Sequence, residues 1–188
     1  MKEFDESWNE FRELYTKAFD EFYKKGRPKA IDDYHLCWNE WDLTAWLLRL
    51  LVPKIADPNK FIIHICMKQG MKFEGKLQEK WARWKESKKE GYGTKRRMRD
   101  IDLLIYNDDE NIFELAVEFK YFHSPGDVQE IKAKLSSQYN DLYDLREEGI
   151  AKEICVAVVD AYYHRRGIPR EKIIPSGIPE DELKFFEG

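Results

Sequence analysis

Three residues of the sequence have the types and spacing for joint chemistry. Asp102 sits near the start of the apolar run IDLLIYN (101–107), and sixteen positions later Glu118 and Lys120 form E-x-K within LAVEFKYF (115–122). Alternate residues of a strand share a face, so Glu118 and Lys120 point one way and Val117, Phe119 and Tyr121 the other. A hairpin through the polar turn at 108–111 brings Asp102 beside that pair. Ionised groups on an otherwise apolar strand surface are unfavourable unless they are paired or coordinate a metal. Metal-assisted phosphodiester hydrolysis fits the set. A hard cation such as Mg²⁺ takes a few carboxylate oxygens, a carbonyl and waters, which Asp102, Glu118 and the Phe119 carbonyl offer. The cation polarises a phosphoryl oxygen and lowers the pKa of a bound water. Lys120 then orients that water and stabilises the charge that builds on the phosphorane. The structural alternative is a Glu118–Lys120 pair at a sheet rim, with Asp102 as a strand-start residue.

The elements that must position these residues show as periodicity. Phe4, Trp8, Phe11, Tyr15, Ala18, Phe19 and Phe22 recur at steps of three and four, which predicts an amphipathic helix over 3–25, ended by Gly26 and Pro28. A second helix is expected from Asn39, through Trp41, Ala45, Trp46, Leu48 and Leu51, to a stop at Pro53. FIIHICMKQ (61–69) reads as a buried strand, and a helix is expected over 77–89. Two strands, 100–107 and 112–122, flank the polar turn, a helix follows over 127–148, and ICVAVVDAYY (154–163) is a further strand. The remainder, with Pro169, Pro175 and Pro179, reads as an irregular tail with at most one closing helical turn. A hairpin plus a helical crossover predicts a single α/β domain over 1–188, with a mixed sheet and helices on both faces.

With those elements around it, the set Asp102, Glu118, Lys120 resembles the PD-(D/E)XK nuclease superfamily, the restriction-endonuclease-like fold. Asp102 matches the aspartate of the second core strand and VEFK matches the E-x-K, with an αβββαβ core over about 39–160. Residues 1–38 then form an N-terminal helical extension, the helix at 77–89 a basic insertion and 161–188 a C-terminal tail. The pattern departs at Ile101, where the family often has proline, and Asp100 is a second candidate for the aspartate. The resemblance implies a Mg²⁺- or Mn²⁺-dependent DNA endonuclease. It also implies a glutamate on the helix before the first strand; WNEWDLTAWLL offers Glu40 and, about 200° round the helix, Asp42. Glu40 is the expected third ligand, and a helix-start role is an equal alternative for Asp42. On the helix after E-x-K, Gln138 is the expected further site residue, and Lys132 and Lys134 fall on what reads as a solvated face. Homodimers are frequent in the family; the N-terminal aromatic helix is the candidate interface, with core packing the favoured reading of its stripe. The rival to an enzyme is a nucleic-acid-binding or assembly module that keeps the fold and has lost catalysis, and a third class is a pure protein-interaction partner.

Charge is unevenly spread. The net charge is -4, yet residues 70–99 hold 11 basic and 4 acidic residues, while residues 100–188 hold 10 and 20. Lys95, Arg96, Arg97 and Arg99, with Trp81 and Trp84 among the cations upstream, have the composition of a phosphate-attracting segment with rings for stacking; a solvated amphipathic helix is the favoured alternative.

The other reactive side chains do not make a rival site. Cys37, Cys66 and Cys155 are odd in number and widely spaced, which argues against disulfides and zinc fingers and suits small buried hydrophobes. His35, His64, His123 and His164 have no metal-ligand spacing, and no phosphate-binding glycine loop occurs. With 43% hydrophobic and 14% aromatic residues the chain can bury a core. No run reaches the roughly 20 apolar residues of a membrane helix, and the N-terminus lacks the pattern of a signal peptide, so a cytoplasmic protein is expected.

Overall fold

The computed structural model describes residues 2–25, 40–55, 57, 60–67, 73, 75–90, 101–122, 126–163 and 166–187. Among them are helices α1 (Lys2–Lys25), α2 (Glu40–Leu51), α3 (Gly75–Glu90), α4 (Val128–Glu147) and α5 (Arg170–Ile173). The strands are β1 (Phe61–Met67), β2 (Ile101–Asn107), β3 (Ile112–Phe122), β4 (Ala151–Asp160) and β5 (Leu183–Glu187). The architecture is α/β: one five-stranded sheet in the order β1-β2-β3-β4-β5, flanked by helices.

β1 pairs antiparallel with β2, and β2 with β3. The Phe113 amide donates to the Ile150 carbonyl at 3.0 Å near the start of β3 and β4, and the Ala161 amide to the Phe122 carbonyl at 3.0 Å beyond their ends. Those two bonds make β3 and β4 parallel, so the sheet is mixed and α4 is the crossover that a parallel pair requires.

The β2–β3 register holds Leu103 opposite Val117, Leu104 opposite Ala116 and Ile105 opposite Leu115, then shifts so that Tyr106 meets Phe113. Glu114 is the extra residue, the mark of a β-bulge. Because of that shift, Tyr106 and Phe113 meet, with ring centroids 5.6 Å apart. The turn beyond is shaped by Asn111, whose φ of 51° lies in the left-handed region that asparagine tolerates.

The chain divides into two compact units, and the division falls inside β3 and β4. The first comprises Met1–Ala56, Phe119–Leu135 and Ala157–Gly188. Its core is built on the α1 stripe of Phe4, Trp8, Phe11 and Tyr15, all buried. The Phe11 and Tyr15 rings meet Phe186 of β5 edge-on, and the Tyr15 hydroxyl lies 3.2 Å from that of Tyr121. That part of the stripe is spent inside the chain, as core packing predicts, and offers no dimer interface. α2 buries Leu43, Thr44, Leu47 and Leu51, while Trp41 and Ala45 face outward. Pro53 ends α2 in a 3-10 turn.

The second unit comprises Asp57–Glu118 and Ser136–Val156. Phe73 lies between Trp81 and Phe113, at 5.3 and 5.4 Å, and Trp81 stacks beside Trp84 at 5.0 Å. α3 is therefore held by its two indoles. On the C-terminal side of α4, Leu142 and Leu145 are buried, and Gly149 takes the positive φ of 62° that closes the helix before β4.

The tail differs from expectation. It is not irregular to its end, because LKFFE pairs as a fifth strand and buries Leu183 and Phe186. β4 also begins three residues earlier than its apolar run suggests, since Lys152 and Glu153 are exposed strand residues.

Candidate active site

The E-x-K sequence lies in the second half of β3, the longest strand. Glu118 is only 4% exposed, and its Oε2 accepts a hydrogen bond from Gln138 Nε2 of α4 at 3.0 Å. Gln138 is itself 8% exposed, and its Oε1 has no hydrogen-bond partner among the described residues. A buried amide oxygen without a donor is uncommon and marks a place where water, an ion or a ligand completes the bonding.

Asp102 lies across from this pair. Leu104 faces Ala116 and Leu103 faces Val117, so the same register continued by one residue sets Asp102 opposite Glu118. Residues directly opposite on antiparallel strands have Cβ atoms about 5 Å apart and share a face, and like charges so placed repel. A cation between them would relieve that repulsion. Asp102 is half-buried rather than exposed.

Lys120 is two residues along the same strand and 17% exposed at its side chain. Its ammonium donates to Glu40 Oε1 at 2.9 Å and to the Phe119 carbonyl at 2.6 Å. Glu40 is in the first turn of α2, and the structure brings it, the residue preferred over Asp42, to the E-x-K strand. Two of the oxygens expected for a metal, from Glu40 and Phe119, thus converge on a positive charge that the chain supplies itself.

These placements bear on a divalent cation in different ways. Asp102 opposite Glu118 and the orphaned Gln138 oxygen fit one, whereas the Phe119 carbonyl, expected as a further hard donor, accepts from the Lys120 ammonium. No group of three or more His, Cys, Asp or Glu side chains is arranged to hold a metal among the described residues. Mg²⁺ does not require one, because it keeps several waters and is held by one or two carboxylates.

Other expected residues find other roles. Trp81 and Trp84 are 2% and 5% exposed, so the core takes the ring surface that stacking on nucleic acid would need; large aromatics on an amphipathic helix are drawn inward by their area. Lys134 pairs with Glu130 one helical turn away at 2.6 Å, and Lys132 donates to the Glu171 carbonyl at 2.9 Å. Cys155 is buried and in no disulfide, as its apolar strand predicts. Lys95, Arg96, Arg97, Arg99, Asp100, Cys37, His35, His123 and His164 lie outside the described residues.

Two features were not read from the sequence. Asn107 and the bulge residue Glu114 form a polar cluster: Asn107 Nδ2 donates to Glu114 Oε1 at 2.6 Å and Lys152 donates to the same oxygen at 2.9 Å. Burial pushes the Glu114 carboxyl up, but these bonds outweigh it and hold the group below its ordinary value. The signal was a lone outward glutamate in β3 with a lysine at the start of β4, visible only once β3 and β4 are known to be neighbours. The second is His64 of β1, opposite Leu104, whose imidazole is held below its ordinary value by burial.

No protein-family model, curated protein or solved structure matches the chain. No helix among the described residues is long and apolar enough to cross a membrane.

Proposed function

We propose that this protein is a divalent-metal-dependent nuclease of the restriction-endonuclease-like fold, with DNA as its substrate and endonucleolytic hydrolysis of the phosphodiester as its reaction. The observation that carries the reading is the β2–β3 register, which pairs Leu103 with Val117 and, carried one residue further, sets Asp102 opposite Glu118, with Lys120 next on the same face of β3. In this reading Asp102 and Glu118 would hold Mg²⁺ or Mn²⁺, and Gln138 orients Glu118. When bound, the metal supplies a polarised phosphoryl oxygen and an acidified water. Lys120 contributes a fixed positive charge toward the phosphorane oxygens and a donor that orients the attacking water. Glu40, which the resemblance makes a third carboxylate ligand, holds the Lys120 ammonium in place.

The competing reading, a binding or assembly module on the same fold, needs none of these polar groups intact. Labelled single-stranded DNA, duplex DNA and RNA incubated with Mg²⁺, Mn²⁺ or EDTA decide between the two. Cleavage is expected with either metal and lost in EDTA, and lost in Lys120→Ala and Glu118→Gln proteins whose circular dichroism stays native. Cleavage that survives both substitutions removes these residues from the reaction, and binding without cleavage favours the module.

A further inference from the structure

Residues 100–188 hold 10 basic and 20 acidic residues, yet four of the basic ones, Arg165, Arg166, Arg170 and Lys172, fall within 161–172 beside a single acid, Glu171. This segment follows β4 and is tied to the end of β3, because the Ala161 amide donates to the Phe122 carbonyl at 3.0 Å. Phe122 is two residues beyond Lys120, about 7 Å along the strand. Asp160, 1% exposed, accepts from the Tyr162 and Tyr163 amides at 3.0 and 2.7 Å. The hydroxyl of the buried Tyr163 donates to the Gly126 carbonyl at 3.0 Å and accepts from the Gly126 amide at 2.8 Å. The Tyr163 carbonyl accepts in turn from the Arg166 amide at 3.0 Å. Those bonds fix the backbone at Tyr162 and at Arg166, and the Arg166 guanidinium lies over the Tyr162 ring at 5.2 Å. A guanidinium stacked on a ring keeps its N–H edge open for a planar acceptor. Neighbouring cations are engaged, Arg170 with Glu180 at 2.8 Å and Lys132 with the Glu171 carbonyl at 2.9 Å. Arg166 is exposed, and no carboxylate pairs with it among the described residues.

We propose that Arg166, steadied on Tyr162, is a phosphate contact for a nucleic-acid backbone that runs past the Lys120 end of β3. The inference rests on the nuclease reading and adds to it a surface that grips the substrate away from the reacting group. The two non-bridging oxygens of a phosphodiester match the forked N–H groups of a guanidinium. A locally basic segment in an otherwise acidic half of the chain complements a polyanion, and the exposed Lys172 adds to its field. The contact is blind to base identity, because phosphate contacts position a strand and base contacts specify it.

Fluorescence anisotropy of a fluorescein-labelled DNA duplex, titrated in EDTA at several salt concentrations, tests this where no cleavage is expected. Arg166→Gln should weaken binding by about ten-fold and lower the log–log salt slope by about 0.9, the share of one duplex phosphate contact. Arg166→Lys, which keeps the charge, should keep the slope. Tyr162→Ala removes the ring beneath the guanidinium and should weaken binding by a smaller factor, and Tyr162→Phe should retain it. Arg170→Gln removes the same charge from an arginine already paired with Glu180 and should change the slope little. The Arg166 side chain is exposed, so its variants are expected to keep the wild-type circular dichroism. No duplex binding by the wild type, an unchanged slope in Arg166→Gln, or an equal loss of slope in Arg170→Gln overturns the contact. Metal-dependent cleavage by wild type beside unaltered duplex binding in Arg166→Gln sinks the contact alone, whereas Arg166-dependent binding without cleavage in any metal sinks the nuclease reading alone.

Discussion

Lys120 of β3 donates to Glu40 of α2 at 2.9 Å across eighty positions of sequence, and the same ammonium reaches the Phe119 carbonyl of its own strand at 2.6 Å. The two partners of this ion pair differ in what they lose without each other. The lysine side chain is 17% exposed and the glutamate 43%, so the carboxylate can turn to water more readily than the ammonium can.

Removing either partner should therefore have unequal effects. Glu40→Gln is expected to destabilise the protein by about 1 kcal/mol, and Lys120→Met by less than the Glu40 substitution, with a coupling of about 0.5–1 kcal/mol in the double-mutant cycle. Urea denaturation of the four proteins measures it. Strict additivity would mean that the pair does not hold together in solution.

Trp81 and Trp84 separate packing from binding. Each is buried beside the other, and Trp81 also meets Phe73 and Phe113, so Trp→Ala at either position should lower stability by about 3–5 kcal/mol. A denaturation curve shows the loss directly. Loss of nucleic-acid affinity with unchanged stability would instead return these rings to the stacking role their basic surroundings suggested.

Much of the architecture was written in the sequence because its signals are local. The α1 stripe, the helical turns of α4 and the apolar runs of β2 and β3 repeat at their own periods, and β3 runs over the residues 112–122 expected for it. β5 was hidden because a five-residue strand carrying two charges has little period of its own, and its reasons to form are tertiary: Phe186 meets Phe11 and Tyr15, and Leu183 is buried. Three apolar residue types, Trp, Leu and Ala, crowd α2, and which of them turn inward is decided by what the helix packs on. In the candidate site, the choice of Glu118, Lys120 and Glu40 needed only spacing and the resemblance. The orphaned Gln138 oxygen and the bulge at Glu114 needed the packing of α4 and the neighbouring strands.

Glu114 predicts a pH effect. Its carboxyl is held below its ordinary value, so the folded state binds its proton less readily than the unfolded chain does. Its stabilising contribution is therefore present above the ordinary glutamate range and is lost as pH falls through the folded value. Glu114→Gln should flatten the acid limb of the stability curve, read by thermal melts from neutral pH downward, and Lys152→Met should flatten it in part. An unaltered acid limb in Glu114→Gln would place the acid sensitivity elsewhere.

The claim that Asp102 and Glu118 form a cation site is tested most directly by the melting temperature with and without divalent metal. On the proposed reading, the opposed carboxylates repel when the cation is removed and weaken the native state. A ligand that binds only the folded form adds about 2.7 kcal/mol at a concentration about 100 times its Kd. Millimolar Mg²⁺ or Mn²⁺ should therefore raise the melting temperature above that in EDTA, while Asp102→Asn should melt no lower than wild type in EDTA and lose most of the metal response. A wild-type melting point unmoved by either metal, together with an Asp102→Asn protein that melts lower in both conditions, would contradict the metal site.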